Sequence, residues 1–325
     1  MIDLSSNESP YLPSPKVGKE VGMQLEHLNR YVRSEEIRTL KKSMADYCGV
    51  SEERILIGPG TDYLFAQAIY RLGRNRNVVT FNPTNLHCME NARYVAAQVV
   101  RLQLVPPAFE IDWAGLGSWP GLILFDYPNN PTGQCLINRG QLISLLEGGN
   151  HLVLVDEAGY EYCGKTFVDL VPKYPHLAVT RTLNKAFGLA GLRVSWMIAG
   201  DSFLEELDTK EVLISRVAYA AALTALEDIA YAKDCAARTI SERERLGRGL
   251  MALGLEVFSS EANYLLVRAK TADLALQLKT AGFLVEDLSL VWLSGFCRIS
   301  VGNREENEAL LGALSSLSCF DEQDS

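Results

Sequence analysis

Thr182-Leu183-Asn184-Lys185-Ala186-Phe187-Gly188-Leu189-Ala190-Gly191-Leu192-Arg193 joins two short apolar runs, Ala178-Val179-Thr180 before it and Val194-Ser195-Trp196-Met197-Ile198 after it. Runs of this length, continuous rather than alternating, read as strands buried on both faces. Four more precede them: Arg54-Ile55-Leu56-Ile57, Val78-Val79-Thr80-Phe81, Gly121-Leu122-Ile123-Leu124-Phe125 and Leu152-Val153-Leu154-Val155. Helical patterns lie between, over Glu36 to Tyr47, Tyr63 to Leu72 and Gln141 to Leu146. This alternation predicts an α/β fold with a mostly parallel central sheet flanked by helices. After about Asp201 a long helical tract follows, alanine-rich from Ala218 to Ala237 and rich in Arg, Glu and Leu from Ile240 to Leu253. Asn263-Tyr264-Leu265-Leu266-Val267, a helix near Asp273 to Ala281, Phe283-Leu284-Val285, Cys297-Arg298-Ile299-Ser300-Val301 and a last helix from Arg304 suit a smaller α+β domain. The expected organisation is an N-terminal arm over 1–20, a large cofactor-binding domain over 21–205, and an interdomain helix with a small domain over 206–325.

The 325 residues carry 48% hydrophobic and 22% charged side chains. A chain of this size buries roughly three quarters of its unfolded surface, which excludes a disulfide scaffold and wholesale disorder. The net charge of −9, with no dense cluster of Lys and Arg, argues against nucleic acid as a partner. No apolar run approaches the roughly 20 residues that cross a bilayer. Met1-Ile2-Asp3-Leu4-Ser5-Ser6-Asn7 lacks a basic region followed by an apolar one, so a soluble, cytoplasmic protein is expected, with no membrane partner. Seven cysteines, odd in number, scattered and never spaced Cys-x-x-Cys, read as buried thiols in a reducing compartment. Nor are the four histidines spaced as ligands, so no metal site is expected.

A single loop lysine carries little meaning, because an ammonium prefers water. Lys185 has company. Phe125-Asp126-Tyr127-Pro128-Asn129-Asn130-Pro131-Thr132-Gly133 follows one strand and Val155-Asp156-Glu157-Ala158 closes the next. The three polar groups should meet beyond the carboxyl ends of parallel strands, where open α/β sheets bind ligands. An amide, a carboxylate and a lysine are the set pyridoxal phosphate demands: the lysine for the Schiff base, the carboxylate to keep the pyridine nitrogen protonated, the amide as donor to the phenolic oxygen. Gly58-Pro59-Gly60-Thr61-Asp62 offers backbone N–H groups at a helix start as a phosphate cradle, with an ordinary strand-to-helix turn as the plainer reading. Arg193 adds a charge-assisted partner.

Together these segments resemble the fold-type I aminotransferases, and within them the histidinol-phosphate aminotransferase-like group. The resemblance runs from Asn7-Glu8-Ser9-Pro10 through Leu28-Asn29-Arg30-Tyr31, Gly60-Thr61-Asp62, Asn129-Asn130-Pro131-Thr132-Gly133, Asp156-Glu157-Ala158 and Lys185-Ala186-Phe187-Gly188-Leu189-Ala190-Gly191-Leu192-Arg193 to Cys297-Arg298-Ile299-Ser300-Val301-Gly302. It implies a pyridoxal-phosphate-dependent aminotransferase. Lys185 is implied as the Schiff-base lysine and proton shuttle, Asp156 as partner of the pyridinium nitrogen, Asn130 as donor to the phenolic oxygen and Arg193 as a phosphate ligand. Gly60, Thr61 and Asp62 match the phosphate turn, and Asn7 and Arg298 match substrate-binding positions, Arg298 taking the α-carboxylate. Tyr31 matches a tyrosine that reaches the partner's phosphate, which implies a homodimer with shared sites. Relatives include a threonine-phosphate decarboxylase, so decarboxylation, elimination, cyclisation and oxidation stand as alternatives, and a protein that binds the cofactor without catalysis as a further one.

Four positions depart from the family pattern. Asn184 replaces a serine before the lysine and supplies an amide near the phosphate. Gly159 stands where a tyrosine normally donates to the phenolic oxygen, with Tyr160 next to it as a possible substitute. Asn85 occupies the place of the ring that stacks on the cofactor; His87 is a planar replacement or a solvated histidine. Glu286 replaces an arginine that grips the substrate phosphate. A carboxylate there repels phosphate and suits a neutral or cationic distal group, unless it simply faces solvent.

Overall fold

The computed structural model describes residues 1–84, 92–207, 214–270, 273–289 and 294–317. Its strands are β1 Ile2–Asp3, β2 Ile55–Gly58, β3 Asn77–Asn82, β4 Gln98–Gln103, β5 Gly121–Asp126, β6 His151–Asp156, β7 Leu177–Thr182, β8 Ser195–Ala199, β9 Glu256–Val257, β10 Tyr264–Arg268, β11 Phe283–Leu284, β12 Glu286–Asp287 and β13 Phe296–Ser300. Seven form the central sheet in the order β2-β8-β7-β6-β5-β3-β4. β8 runs antiparallel to both its neighbours, and the remaining pairings are parallel. All six apolar runs singled out above are strands of this sheet. The strand that the sequence hides is β4: Gln98-Val99-Val100-Arg101-Leu102-Gln103 buries only Val100, because it sits at the edge with a single neighbour.

Strand side chains alternate between two cores. On one face Val79, Ile123, Phe125, Val153, Val155, Val179 and Trp196 pack with Leu40 and Met44 of the helix Ser34–Cys48 and with Leu142 and Leu146 of Arg139–Glu147. On the other, Leu122, Leu124, Leu154, Ala178 and Met197 pack with Phe65, Ala68 and Ile69 of the helix Thr61–Leu72. Each large apolar side chain removed from water contributes about 1.5–3 kcal/mol, so the middle strands form a rigid platform whose ends hold loops in place.

The long helical tract is two helices, Arg216–Glu227 and Ile229–Ala252. They break at Asp228, whose carboxylate accepts from Ser14 Oγ at 2.6 Å and Lys16 Nζ at 2.8 Å. The first buries Ala218, Ala221, Ala222 and Ala225 in the large core; the second carries Leu246 and Leu250 into a third core with Leu265, Ile299 and Leu310. Around that core lies an antiparallel sheet in the order β12-β13-β10-β9. β1 pairs in parallel with β11 there, Ile2 opposite Phe283, and Leu4 is buried. The helix Pro15–Gln24 packs instead on Arg216–Glu227. The first residues of the chain thus cross from one core to the other, and the crossing places Ser6, Asn7 and Glu8 in the cleft between.

Candidate active site

A cavity of about 340 Å³ opens where β5, β6 and β7 end, walled by Asp126, Asp156, Thr182, the N-terminal residues Ser6 to Glu8, and Asn263 and Tyr264 at the start of β10. Lys185, Asp156, Asn130, Arg193, Thr61, Asp62, Asn184 and Asn7 all line it. Residues far apart in sequence meet because parallel strands deliver their following loops to one edge.

Asp156 is the last residue of β6. Its Oδ1 accepts from Thr180 Oγ1 at 2.8 Å and from the Ala158 amide at 3.1 Å. Burial and the Asp126 carboxylate push it up to about 7, against those two hydrogen bonds. Asp126 lies opposite Asp156 in the strand register and accepts from Thr84 Oγ1 at 3.0 Å. Lys185 donates from Nζ to the Asn7 carbonyl at 3.0 Å. Burial brings its amine down to about 8, helped by Arg298 and Arg193 and opposed by Asp156 and Glu8. The lysine loop is pinned at both ends: Ser195 Oγ donates to Thr182 Oγ1 at 2.8 Å, and Thr182 Oγ1 donates to the Val194 carbonyl at 3.2 Å.

At one end of the cavity the helix Thr61–Leu72 begins after Gly60, which has φ +98° and no side-chain cap. The first-turn amides of such a helix are open to an anion. A Cβ on Gly60 would stand 2.5 Å from Arg193 Nη2, so glycine is required for the arginine to reach this turn. Arg193, itself at φ +54°, donates to Asp62 Oδ2 at 2.6 Å; a guanidinium has five donors, and others remain for a phosphate. Asn184 is buried with its Oδ1 unpartnered.

Behind the wall residue Asn130, and not itself in the wall, Arg298 of β13 is buried. Its Nη1 donates to Asn130 Oδ1 at 2.6 Å, Nη2 donates to the Ser5 carbonyl, and Nε is buried without a partner. Its guanidinium lies 5.5 Å from the ring centre of Tyr264, whose hydroxyl donates to the Asn129 carbonyl at 2.8 Å. Asn7, at φ +53°, donates its amide to Ser300 Oγ at 2.8 Å and accepts at its carbonyl from Asn263 Nδ2 at 2.9 Å. Two buried polar atoms without partners, open helix amides, a softened lysine and a protonatable carboxylate fit pyridoxal phosphate with an amino acid beside it.

A family model for aminotransferases of class I and II matches residues 1–314. The chain belongs to this aminotransferase family. Histidinol-phosphate aminotransferase 1 of Pseudomonas fluorescens (strain Pf0-1) is 32% identical over 328 residues, covering 98% of this chain and 93% of its own. Histidinol-phosphate aminotransferase from Sinorhizobium meliloti, solved in complex with pyridoxal-5'-phosphate, superposes with a TM-score of 0.85 at 23% identity, over 96% of this chain and 89% of its own. L-threonine-O-3-phosphate decarboxylase from Porphyromonas gingivalis superposes with a TM-score of 0.81 at 20% identity, over 97% and 98%; that likeness concerns the fold. The aminotransferase activity, the pyridoxal-phosphate requirement and the fold expected from the sequence all agree with family membership.

Other candidate positions of this aminotransferase lie outside the cavity. Tyr160 is absent from its walls: the Arg181 guanidinium sits 3.4 Å from the centre of its ring, within a buried ion pair of Arg181 with Glu157. Gly159 does line the cavity, and a Cβ there would stand 2.9 Å from Cδ of Pro128, so the loop is packed for glycine rather than tyrosine. Tyr31 is 94% exposed, its carbonyl accepting from Arg216 Nη2 at 2.7 Å. Glu286 lies opposite Arg298 in the strand register, its side chain 45% exposed and 3.8 Å from Arg298 Nη2, behind the cavity wall rather than in it. Asn85 and His87 fall outside the described residues. Asp126, Tyr264 and Asn263 are wall residues to which the sequence assigned no role. Asp126 carried a signal, a polar side chain closing an apolar strand, whereas Tyr264 reads as core.

The cysteines are not uniformly buried: Cys48, Cys135 and Cys163 are partly exposed, while Cys235 and Cys297 are buried. No helix among the described residues is long and apolar enough to cross a membrane.

Proposed function

We propose that this aminotransferase moves an amino group from an amino acid to a 2-oxo acid, and that the distal group of its amino donor is neutral or cationic. The observation that carries the reading is one cavity lined by Lys185 and Asp156, with the buried Arg298 guanidinium, its Nε unpartnered, hydrogen-bonded to the wall residue Asn130. Pyridoxal phosphate supplies an aldehyde that bonds to amines and a ring that withdraws electrons from the amino acid's Cα. The chain supplies the rest. Asp156 would hold the ring nitrogen in its protonated form; a cation beside it favours the ionised carboxylate and offsets the burial that raises it. Lys185, with an amine near pH 8, takes the proton from Cα and returns it. Arg298 takes the α-carboxylate through its fork, where Nε completes the donors already facing Asn130 and Ser5. The Thr61 and Asp62 amides, Arg193 and Asn184 would hold the phosphate, and Asn130 would donate to the phenolic oxygen.

Glu286 beside Arg298 and the carboxylates of Glu8 and Asp126 in the walls make the donor end of the site unfavourable to a second anion. A homodimer in the cytoplasm is part of the proposal: Leu12, Leu25, Leu28 and Tyr31 are exposed side chains on the N-terminal segment and on the turn between the first two helices, the kind of surface a partner covers. A screen of amino donors with the loaded enzyme and several 2-oxo acids tests the reading. Transfer from lysine- or arginine-like and neutral donors, exceeding that from phosphorylated donors, is expected. The reverse order would remove the assignment to Glu286, and turnover without amino transfer would replace aminotransfer by a lyase reaction.

A further inference from the structure

Tyr264 stands first in β10, and the alternation of side chains along paired strands fixes its neighbours. It lies opposite Ser300 of β13, two residues before the Leu266 that stands opposite Arg298, so Tyr264 and Arg298 are diagonal neighbours on one face of the antiparallel sheet. Glu286 of β12 lies opposite Arg298 from the other side. Both Tyr264 and Arg298 are buried, and the guanidinium carbon stands 5.5 Å from the ring centre, within reach of a cation–π contact. The guanidinium is thus flanked by a ring from one strand and a carboxylate from the other.

The hydroxyl of Tyr264 has a different target. A buried phenol needs a partner, and this one donates to the Asn129 carbonyl at 2.8 Å. Burial holds that hydroxyl above the ordinary tyrosine range, against Arg298, so it stays a donor. The same carbonyl accepts from the Gly133 amide at 2.7 Å, and Asn129 Oδ1 accepts from Thr132 Oγ1 at 2.9 Å, so the turn after β5 is closed on itself and Tyr264 holds it against β10. Next in that turn is Asn130, whose Oδ1 accepts from Arg298 Nη1 at 2.6 Å. A guanidinium only donates, so Oδ1 is the atom it engages, and Nδ2 of this wall residue is left for a ligand.

We propose that Tyr264 is a positioning residue with two separable parts: its hydroxyl sets the turn that aims the Asn130 amide at the phenolic oxygen of pyridoxal phosphate, and its ring sets the Arg298 guanidinium for the carboxylate of the amino donor. A hydrogen bond donated to an oxygen favours its deprotonated form. Without the hydroxyl the turn loses a bond to β10 and the amide its aim, so the cofactor keeps its proton to higher pH. Without the ring face the guanidinium loses a favourable neighbour, while Glu286 remains 3.8 Å from Nη2 and draws it away from the bound carboxylate.

The test loads the parent, Y264F and Y264L with pyridoxal phosphate, follows the cofactor's absorbance against pH, and measures KM for the amino donor that the screen above ranks first. Expected for Y264F is a midpoint raised by about half a pH unit to one unit, with KM within about twofold of the parent. Y264L is expected to show the same rise and, in addition, a KM higher by about 3- to 10-fold. An unmoved midpoint in Y264F would overturn the role of the hydroxyl, and a KM in Y264L no higher than in Y264F would overturn that of the ring. Melting of the cofactor-free chains checks folding; should Y264L unfold, Y264M fills the space without a ring face and takes its place. Both parts rest on the roles proposed above for Asn130 and Arg298. Each readout is a difference from the parent, measured whatever product forms, so turnover without amino transfer would sink the aminotransfer reading alone.

Discussion

Asp156 and Glu157 are adjacent acids at the end of one strand, and the fold treats them oppositely. Glu157 is 0% exposed and faces the core, where it accepts from the Phe167 amide at 2.7 Å, Thr166 Oγ1 at 2.8 Å and Arg181 Nε at 2.9 Å. Asp156 faces the cavity with two donors and another carboxylate as neighbour. Burial raises both; around Glu157 a guanidinium and three hydrogen bonds oppose it, around Asp156 only the two bonds do. A saturated buried acid holds structure together, whereas an unsaturated one is held ready for a charge the protein does not itself supply.

That contrast can be broken by substitution. The largest effect belongs to Lys185→Ala, which removes the only lysine among the described residues of the cavity wall: a loss of about 10⁴-fold in turnover, or about 5.5 kcal/mol, with an unchanged melting curve for the cofactor-free chain. On the core side, Glu157→Ala leaves Arg181 buried without its partner and should destabilise by about 3–5 kcal/mol in urea, while the turnover of the molecules that remain folded stays within about twofold. Should Glu157→Ala instead abolish activity with the fold intact, the division between the two sides fails.

Asp156→Asn should act in two directions at once. Turnover falls by about 10²- to 10³-fold, because the amide cannot hold the ring nitrogen's proton. The cofactor-free chain, in contrast, gains stability at pH 8. The folded-state value of about 7 lies above the ordinary 3.8, so folding favours the protonated form: the stability is full below about pH 4 and declines as pH rises through 7. The substitution removes that decline, worth on the order of 4 kcal/mol at pH 8 and under about 1 kcal/mol at pH 4. Urea titrations of both cofactor-free proteins at the two pH values read the difference directly. The smallest effect is expected from Arg298→Lys, which keeps the charge but loses the fork: KM for the amino donor rises about 10-fold while kcat changes less.

The sequence made the core side legible because continuous apolar runs leave little choice of structure, and all six were strands. β4 escaped because an edge strand keeps polar residues such as Arg101 and Gln103 in water. Lys185, Asp156, Asn130 and Arg193 were legible through position, Asp156 closing a strand, Asn130 and Lys185 in the loops that follow strands, and Arg193 just before the next one. Tyr264 was not, since an aromatic inside an apolar strand carries the same pattern whether it faces core or cavity. Glu286 was placed by correspondence with a substrate-gripping arginine, and its backbone does bring it beside Arg298, yet its shorter side chain stops outside the wall. Tyr160 lies one residue beyond Gly159, and in a helical turn that step rotates its side chain away from the cavity towards Arg181.

Borohydride reduction of the pyridoxal-phosphate-loaded enzyme, followed by peptide mass mapping, tests the assignment of the lysine most directly. A pyridoxyl mass fixed on the peptide containing Lys185, lost in the Lys185→Ala protein, is the result expected from an amine held beside Asp156. Label on any other lysine, or none on an enzyme that turns over, would contradict it.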